Sequence, residues 1–243
     1  MRESRLRWPI PTDFATRLTG ATVRTLTRRG KYILVHTNLG VFLVHLGMSG
    51  SLRVVTDNSP LKKHDHVVFQ LSGGASLRFH DPRRFGCILW ADEAEAHPLL
   101  AELGPEPLSD EFNSEYLTKR AKGRKTAIKS FLMDSHIVVG VGNIYANEAL
   151  FMAGIHPKRV TGRVSAARFE KLVSAVKQVL GEAIEVGGTT LRDFVNGNGE
   201  PGYFQQQLQV YDRADEPCKK CGTLIKSMRL GQRSTFFCKL CQT

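Results

Sequence analysis

The sequence predicts an α+β protein in three parts: a β-rich front, a helical middle and a metal-stapled β-hairpin at the C-terminal end. Three observations predict it. From Thr22 to Trp90 the chain is rich in β-branched and aromatic residues, broken at short intervals by turn residues. Beyond His97 the apolar residues take up helical spacing. Four of the five cysteines crowd into positions 218 to 243. A length of 243 residues is long for one core and comfortable for two plus an appendage.

In chain order, Lys31–His36 and Val41–His45 flank Thr37-Asn-Leu-Gly40, while His66–Leu71 and Ser76–Phe79 flank Gly73-Gly74. Both are hairpin signatures. Cys87–Trp90 adds a strand, and a sandwich or barrel follows. Helices are predicted over Ser109–Leu117, Thr126–Met133, Asn143–Phe151 and Ser165–Val186. In the last, Phe169, Leu172, Val173, Val176, Val179, Leu180, Ala183 and Ile184 share one face, Ser165 can cap the start and Gly187-Gly188 can stop the end. Leu191–Tyr211 reads as loop, because Asn196-Gly-Asn-Gly-Glu-Pro-Gly202 forbids regular structure.

Thirty-four basic against 23 acidic residues leave a formal charge of +11, which points to a polyanionic partner, although basic enzymes and membrane-surface proteins share such a balance. With 42% hydrophobic residues the chain is globular, and it holds no apolar run long enough for a bilayer. Its first residues lack a secretory signal, so the cytoplasm is expected.

Cys218-x-x-Cys221 and Cys238-x-x-Cys241 have the spacing of two thiolate knuckles that close a tetrahedral zinc site. Four protein ligands leave no open position, so one structural zinc is expected. Gly222 allows the knuckle turn, and the intervening segment reads as a hairpin with Gly231 at its tip. Arg233 beside that tip suits a phosphate, as it equally suits a solvated turn. Met48 lies in a glycine-flanked loop, where the bland reading is a core methionine. Asp81-Pro-Arg-Arg-Phe-Gly86 combines cations and an aromatic ring, which fits either a wedge in a kinked duplex or a surface turn. Lys62-Lys-His-Asp-His66 offers two histidines to a phosphate or to solvent. Gly140-Val-Gly-Asn143 opens a helix whose first amides, with Lys125 and Lys129 nearby, could cradle a backbone phosphate or merely be capped.

Read together, Arg29-Gly-Lys-Tyr, His45-Leu-Gly-Met-Ser-Gly-Ser, Lys63-His-Asp-His, Asp81-Pro-Arg-Arg-Phe-Gly, Val139-Gly-Val-Gly-Asn-Ile-Tyr-Ala and Gly231-Gln-Arg-Ser-Thr-Phe-Phe-Cys resemble bacterial formamidopyrimidine-DNA glycosylases, in family order and over essentially the whole chain. Gly187-Gly-Thr-Thr-Leu-Arg-Asp-Phe and Pro201-Gly-Tyr-Phe look more like that enzyme than its endonuclease VIII cousins, which favour oxidised pyrimidines. The resemblance implies a β-sandwich (1–95), a helix-two-turn-helix domain with a glycine-rich lesion loop (96–212) and a zinc finger (213–243). It also implies a monomer that takes 8-oxoguanine and formamidopyrimidines out of double-stranded DNA, acts on abasic sites, and cuts by β,δ-elimination after flipping the base. Met48, Arg83 and Phe85 would fill the void, with Arg83 pairing to the orphaned cytosine. Lys31, His64, Lys125, Asn143 and Arg233 would hold phosphates, and Lys31 and Arg233 match the residues assigned to the two elimination steps.

The family's nucleophile is the amine of an N-terminal proline, with glutamate beside it as acid. This chain opens Met1-Arg-Glu-Ser, and its Arg5-Leu-Arg-Trp-Pro9 corresponds to a point inside the family's first domain, so the family's first helix and an opening strand are expected to be absent. A misassigned start competes with a shortened lesion binder that excises nothing; intact downstream motifs favour the former. The polypeptide itself is expected to bind DNA without glycosylase activity, with at most weak lyase action from Lys31. A zinc-ribbon adaptor without lesion preference is the alternative of another class.

Overall fold

A computed structural model describes residues 1–57, 59–94, 96–188 and 204–243. The glycine-rich segment around Asn196–Gly202 therefore lies outside the described residues. The chain divides into two compact units, one of Met1–Ala101 with Gly187–Tyr203, the other of Glu102–Val186 with Phe204–Thr243.

The first unit holds α1 (Phe14–Leu18), seven strands, β1 (Val23–Arg29), β2 (Tyr32–Thr37), β3 (Gly40–His45), β4 (Ser51–Val55), β5 (Asp65–Gln70), β6 (Ser76–His80) and β7 (Cys87–Ala91), and the single turn α2 (Pro98–Ala101). They form two antiparallel sheets, ordered β1-β2-β3-β7 and β4-β6-β5. Both predicted hairpins are present, β2–β3 closing on Thr37↔Gly40 and β5–β6 on Gln70↔Ser76. The sandwich reading holds because one apolar cluster takes Val35, Phe42, Val44 and Ile88 from the first sheet and Val67 and Phe79 from the second. β3 is Val-Phe-Leu-Val without alternation, as befits a strand buried on both faces. Full burial of each such side chain stabilises by about 1.5–3 kcal/mol.

Sequence periodicity missed α1, whose five residues are too few to show a period. Phe14 nevertheless anchors the core, edge-on to Phe42 at 5.8 Å and to Trp90 at 6.2 Å. β1 is an edge strand, and Val23 and Leu26 on it are exposed.

The second unit contains α3 (Ser114–Ala121), α4 (Ile128–Leu132), α5 (Asn143–Met152), α6 (Ala166–Glu185), two short 3₁₀ turns (Thr161–Arg163 and Phe204–Gln207), and the hairpin β8 (Lys226–Leu230) with β9 (Arg233–Phe237). α6 buries the predicted stripe of Phe169, Leu172, Val176, Val179, Leu180 and Ala183; Val173 and Ile184 fall outside it, Ile184 exposed. Ser165 takes the capping position but its side chain makes no capping bond, a correction to its expected role. α3 starts five residues later than Ser109 suggests. Asn113 is the cap that works, its side-chain oxygen accepting the Tyr116 N–H at 2.9 Å, while the Ser109 hydroxyl is spent on the Glu106 carbonyl. α4 begins only at Ile128, because the Thr126 carbonyl accepts both the N–H and the hydroxyl of Thr161 and is pinned outside the helix.

α5 is apolar nearly all round, burying Ala146 through Phe151, and packs against both α6 and β9. Two polar side chains are buried with it. Glu148 accepts N–H bonds from Gln209, Val210 and Tyr211 at 2.8–3.0 Å, which ties the chain entering the finger to this helix. Burial pushes the Glu148 carboxyl above its ordinary range, and those three N–H groups pull it back.

Candidate nucleic-acid interface and metal centre

The four cysteine sulfurs of the finger lie within 4.8 Å of one another. Cys218 and Cys241 sulfurs are 3.9 Å apart and those of Cys221 and Cys238 3.5 Å, where zinc–sulfur bonds of about 2.3 Å in a tetrahedron require about 3.8 Å. The donor set fits one zinc with no open position. Each knuckle closes on itself, Gly222 N–H donating to the Cys218 carbonyl and Gln242 N–H to the Cys238 carbonyl. The Gln242 amide reaches further, its oxygen accepting the Cys238 N–H and its nitrogen donating to the Ile155 carbonyl, so the second knuckle is fastened to the turn after α5.

Arg233 opens β9 and is exposed, paired in register with Leu230 across the Gly231-Gln232 turn. In such a two-residue hairpin the backbone groups of Ser234 and Phe236 face away from β8. Helix side chains meet them. The Ser234 carbonyl accepts from Lys129 Nζ at 2.9 Å and from Asn143 Nδ2 at 3.1 Å, and the Phe236 N–H donates to Asn147 Oδ1 at 2.8 Å. Asn143 is thus the first residue of α5, as expected, and partly buried against the finger hairpin. Lys125 stands exposed in the loop before α4. Lys129 corrects the expectation that it would join a phosphate site: it is 2% exposed, and burial followed by the charge of Arg233 lowers its pKa to about 8.

In the sheet unit, Lys31 sits exposed at the turn between β1 and β2. Its charge, after burial itself, lowers the pKa of His45, whose Nδ1 accepts the Gly47 N–H at 2.9 Å and so holds the loop carrying Met48. Met48 is 60% exposed, which removes the reading of a core methionine. The turn from Asp81 to Gly86 carries Arg83 over the Phe85 ring at 4.7 Å, both exposed. Its scaffold is Asp81, wholly buried, whose carboxylate accepts the N–H groups of Arg83 at 3.2 Å and Gly86 at 2.8 Å. Asp81→Ala should therefore cost about 1–3 kcal/mol through N–H groups left unpaired. An unchanged thermal midpoint would contradict that.

The two histidines do not act alike. β5 starts at Asp65, so His64 precedes the strand and is half-buried, while His66 is buried and donates from Nε2 to the Asp81 carbonyl at 2.8 Å. Asp65 fixes their turn through the Lys62 N–H at 2.8 Å and His80 Nδ1 at 2.9 Å. Burial would raise its carboxyl pKa, but these bonds hold it below the ordinary value. Sequence reasoning passed over Asp81, Asn147 and Glu148; each is a polar residue inside an otherwise apolar or turn-forming run, the one local signal that marked them.

Known proteins share this arrangement. The patterns for the formamidopyrimidine-DNA glycosylase N-terminal domain, its H2TH domain, and a zinc finger found in FPG and IleRS match residues 1–88, 103–195 and 215–243. A formamidopyrimidine-DNA glycosylase of Shewanella woodyi is 58% identical over 244 residues, and one of Marinobacter nauticus 55% over 242. Each alignment covers 100% of this chain and 90% of the relative. Among solved structures, the Lactococcus lactis Fpg in complex with DNA containing an abasic site superposes with a TM-score of 0.88 at 31% identity, over 95% of this chain and 86% of that one. The MutM (FPG) protein of Thermus thermophilus gives 0.84 at 37%, over 92% and 84%.

Proposed function

The chain belongs to the formamidopyrimidine-DNA glycosylase family, and from that membership and the geometry above we propose that it removes oxidised purines from duplex DNA in base-excision repair. Its relatives' structures contain Fapy-dG, abasic-site and carbocyclic 8-oxo-G DNA. The observation that carries the reading to this chain is the pair of loops presenting Met48, Arg83 and Phe85. Large apolar side chains are exposed there on backbone that is hydrogen-bonded and tightly packed, as wedge residues entering a base stack require.

In this reading Met48 and Phe85 fill the space left by a flipped base, and Arg83 bonds the partner cytosine. Lys31, His64, Lys125, Asn143 and Arg233 bind phosphates. In the resembled family the amine of an N-terminal proline attacks C1′, the adjacent glutamic acid protonates the departing base, and the resulting iminium acidifies the neighbouring C–H for elimination. None of residues 1–243 is assigned that amine. Lys31 and Arg233 serve the eliminations. The finger is a third domain beside residues 1–95 and 96–212. The protein acts as a monomer in the cytoplasm; no helix among the described residues is long and apolar enough to cross a membrane.

The test is competition between a duplex holding one 8-oxoguanine opposite cytosine and its undamaged counterpart. Preference for the lesion is expected, and equal affinity would overturn the reading in favour of a plain zinc adaptor. Arg233→Ala should also lower the slope of log affinity against log salt by about 0.9, one phosphate's worth. An unchanged slope would remove Arg233 from the phosphate contacts.

A further inference from the structure

We propose that Lys129 is a positioning residue for Arg233: its buried ammonium grips the Ser234 carbonyl, one residue past Arg233, and fixes the hairpin tip for phosphate binding. The inference rests on the reading of Arg233 as a phosphate ligand.

β8 and β9 form a sheet of two strands. Such a ribbon is marginal by itself, and its free edge leaves backbone groups unpaired. On β9 that edge is completed by side chains from α4 and α5 where a third strand would stand. Lys129 Nζ donates to the Ser234 carbonyl at 2.9 Å and to the Thr235 hydroxyl at 2.7 Å; Asn143 shares the carbonyl, and Asn147 takes the Phe236 N–H. Thr235 is wholly buried, so the Lys129 grip is inside the protein and shielded from solvent.

Packing alone does not call for a lysine here. A methionine would fill the same volume without desolvating a charge, and burying an ammonium beside the cation of Arg233 carries a cost that shows in its lowered pKa. What methionine lacks is donors. Without them the Ser234 carbonyl keeps only the Asn143 bond, and beyond the β8–β9 pairing the tip bearing Arg233 is held less firmly. A phosphate would then have to order the tip on binding, which weakens the contact.

The experiment is a double-mutant cycle with K129M, R233A and the pair, measuring affinity for an abasic-site duplex across a salt series. Zinc content and thermal midpoint are recorded for each. K129M should weaken binding about three- to tenfold and lower the salt slope toward that of R233A, by up to about 0.9. The double variant should bind no worse than R233A. T235V, which keeps the shape and removes one acceptor, should give a smaller loss of the same kind and covers the case in which K129M fails to fold. If the losses from K129M, or from T235V in its place, add fully to that of R233A with the slope unchanged, Lys129 is merely structural and the inference falls. If R233A itself leaves the slope untouched, it is the phosphate role of Arg233 that fails.

Discussion

Replacing Cys238 with serine should abolish zinc binding and unfold the C-terminal finger while leaving the sheet unit folded. The finger's own apolar core is small: Val210, Ile225 and Phe236 pack with Phe151 around the buried sulfurs of Cys218 and Cys238. A two-stranded ribbon with so few apolar groups does not hold itself together in water. Zinc binding to comparable four-ligand peptides is worth about 10–16 kcal/mol at neutral pH, and most of that appears as folding free energy. Serine leaves three thiolates and breaks the tetrahedral set. Loss would spread to Arg233, whose strand exists only as part of this hairpin, so affinity for lesion duplex should fall below that of Arg233→Ala. Metal analysis and hydrogen exchange check this together. Amides of Lys226–Leu230 and Arg233–Phe237 should lose protection, and those of Gly40–His45 in the first unit should keep it. Protected finger amides after complete chelation would show that the apolar contacts suffice without metal.

The elements that local chemistry determines were legible in the sequence. The Thr37–Gly40 turn and the glycine pair at 73 and 74 set two hairpins, and the cysteine spacing set the metal site, because each feature acts on its immediate neighbours. Where the sequence misled, a distant partner had decided the outcome. Lys129 looks like any surface lysine beside a helix start until β9, more than a hundred residues later, supplies its acceptors. His66 repeats His64 two positions on, yet the buried Asp81 carbonyl takes it into the core. Exposure of Met48 was equally invisible to local chemistry, since an apolar residue in a glycine-flanked loop is ordinarily buried.

Gly47→Ala should be strongly damaging to the sheet unit, because it would push apart the two loops that carry Met48 and Phe85. β3 and β7 are paired up to His45↔Cys87, and beyond that register the two chains run on in backbone contact. A Cβ at Gly47 would stand 2.7 Å from the Gly86 nitrogen and from the Phe85 carbonyl carbon, distances that only backbone movement can relieve. The φ of +69° adds strain for any L side chain. Left-handed strain of about 1–2 kcal/mol and overpacking of about 1–3 kcal/mol give a loss of about 2–5 kcal/mol. Gly123→Ala separates the two causes: its φ is +74° with nothing within 4 Å of the added methyl, so only the conformational part should appear. Function should follow the geometry. Separated loops no longer present Met48 beside the Arg83–Phe85 pair, so the preference for 8-oxoguanine duplex over undamaged duplex should drop about tenfold or more, the equivalent of about 1.4 kcal/mol. Phosphate-driven affinity for undamaged DNA should change little, since Lys31 and Arg233 lie on other turns. Urea melts and lesion competition on the same preparation decide it. A Gly47→Ala protein as stable as Gly123→Ala, with its lesion preference intact, would mean that the contact between these loops does not place the wedge.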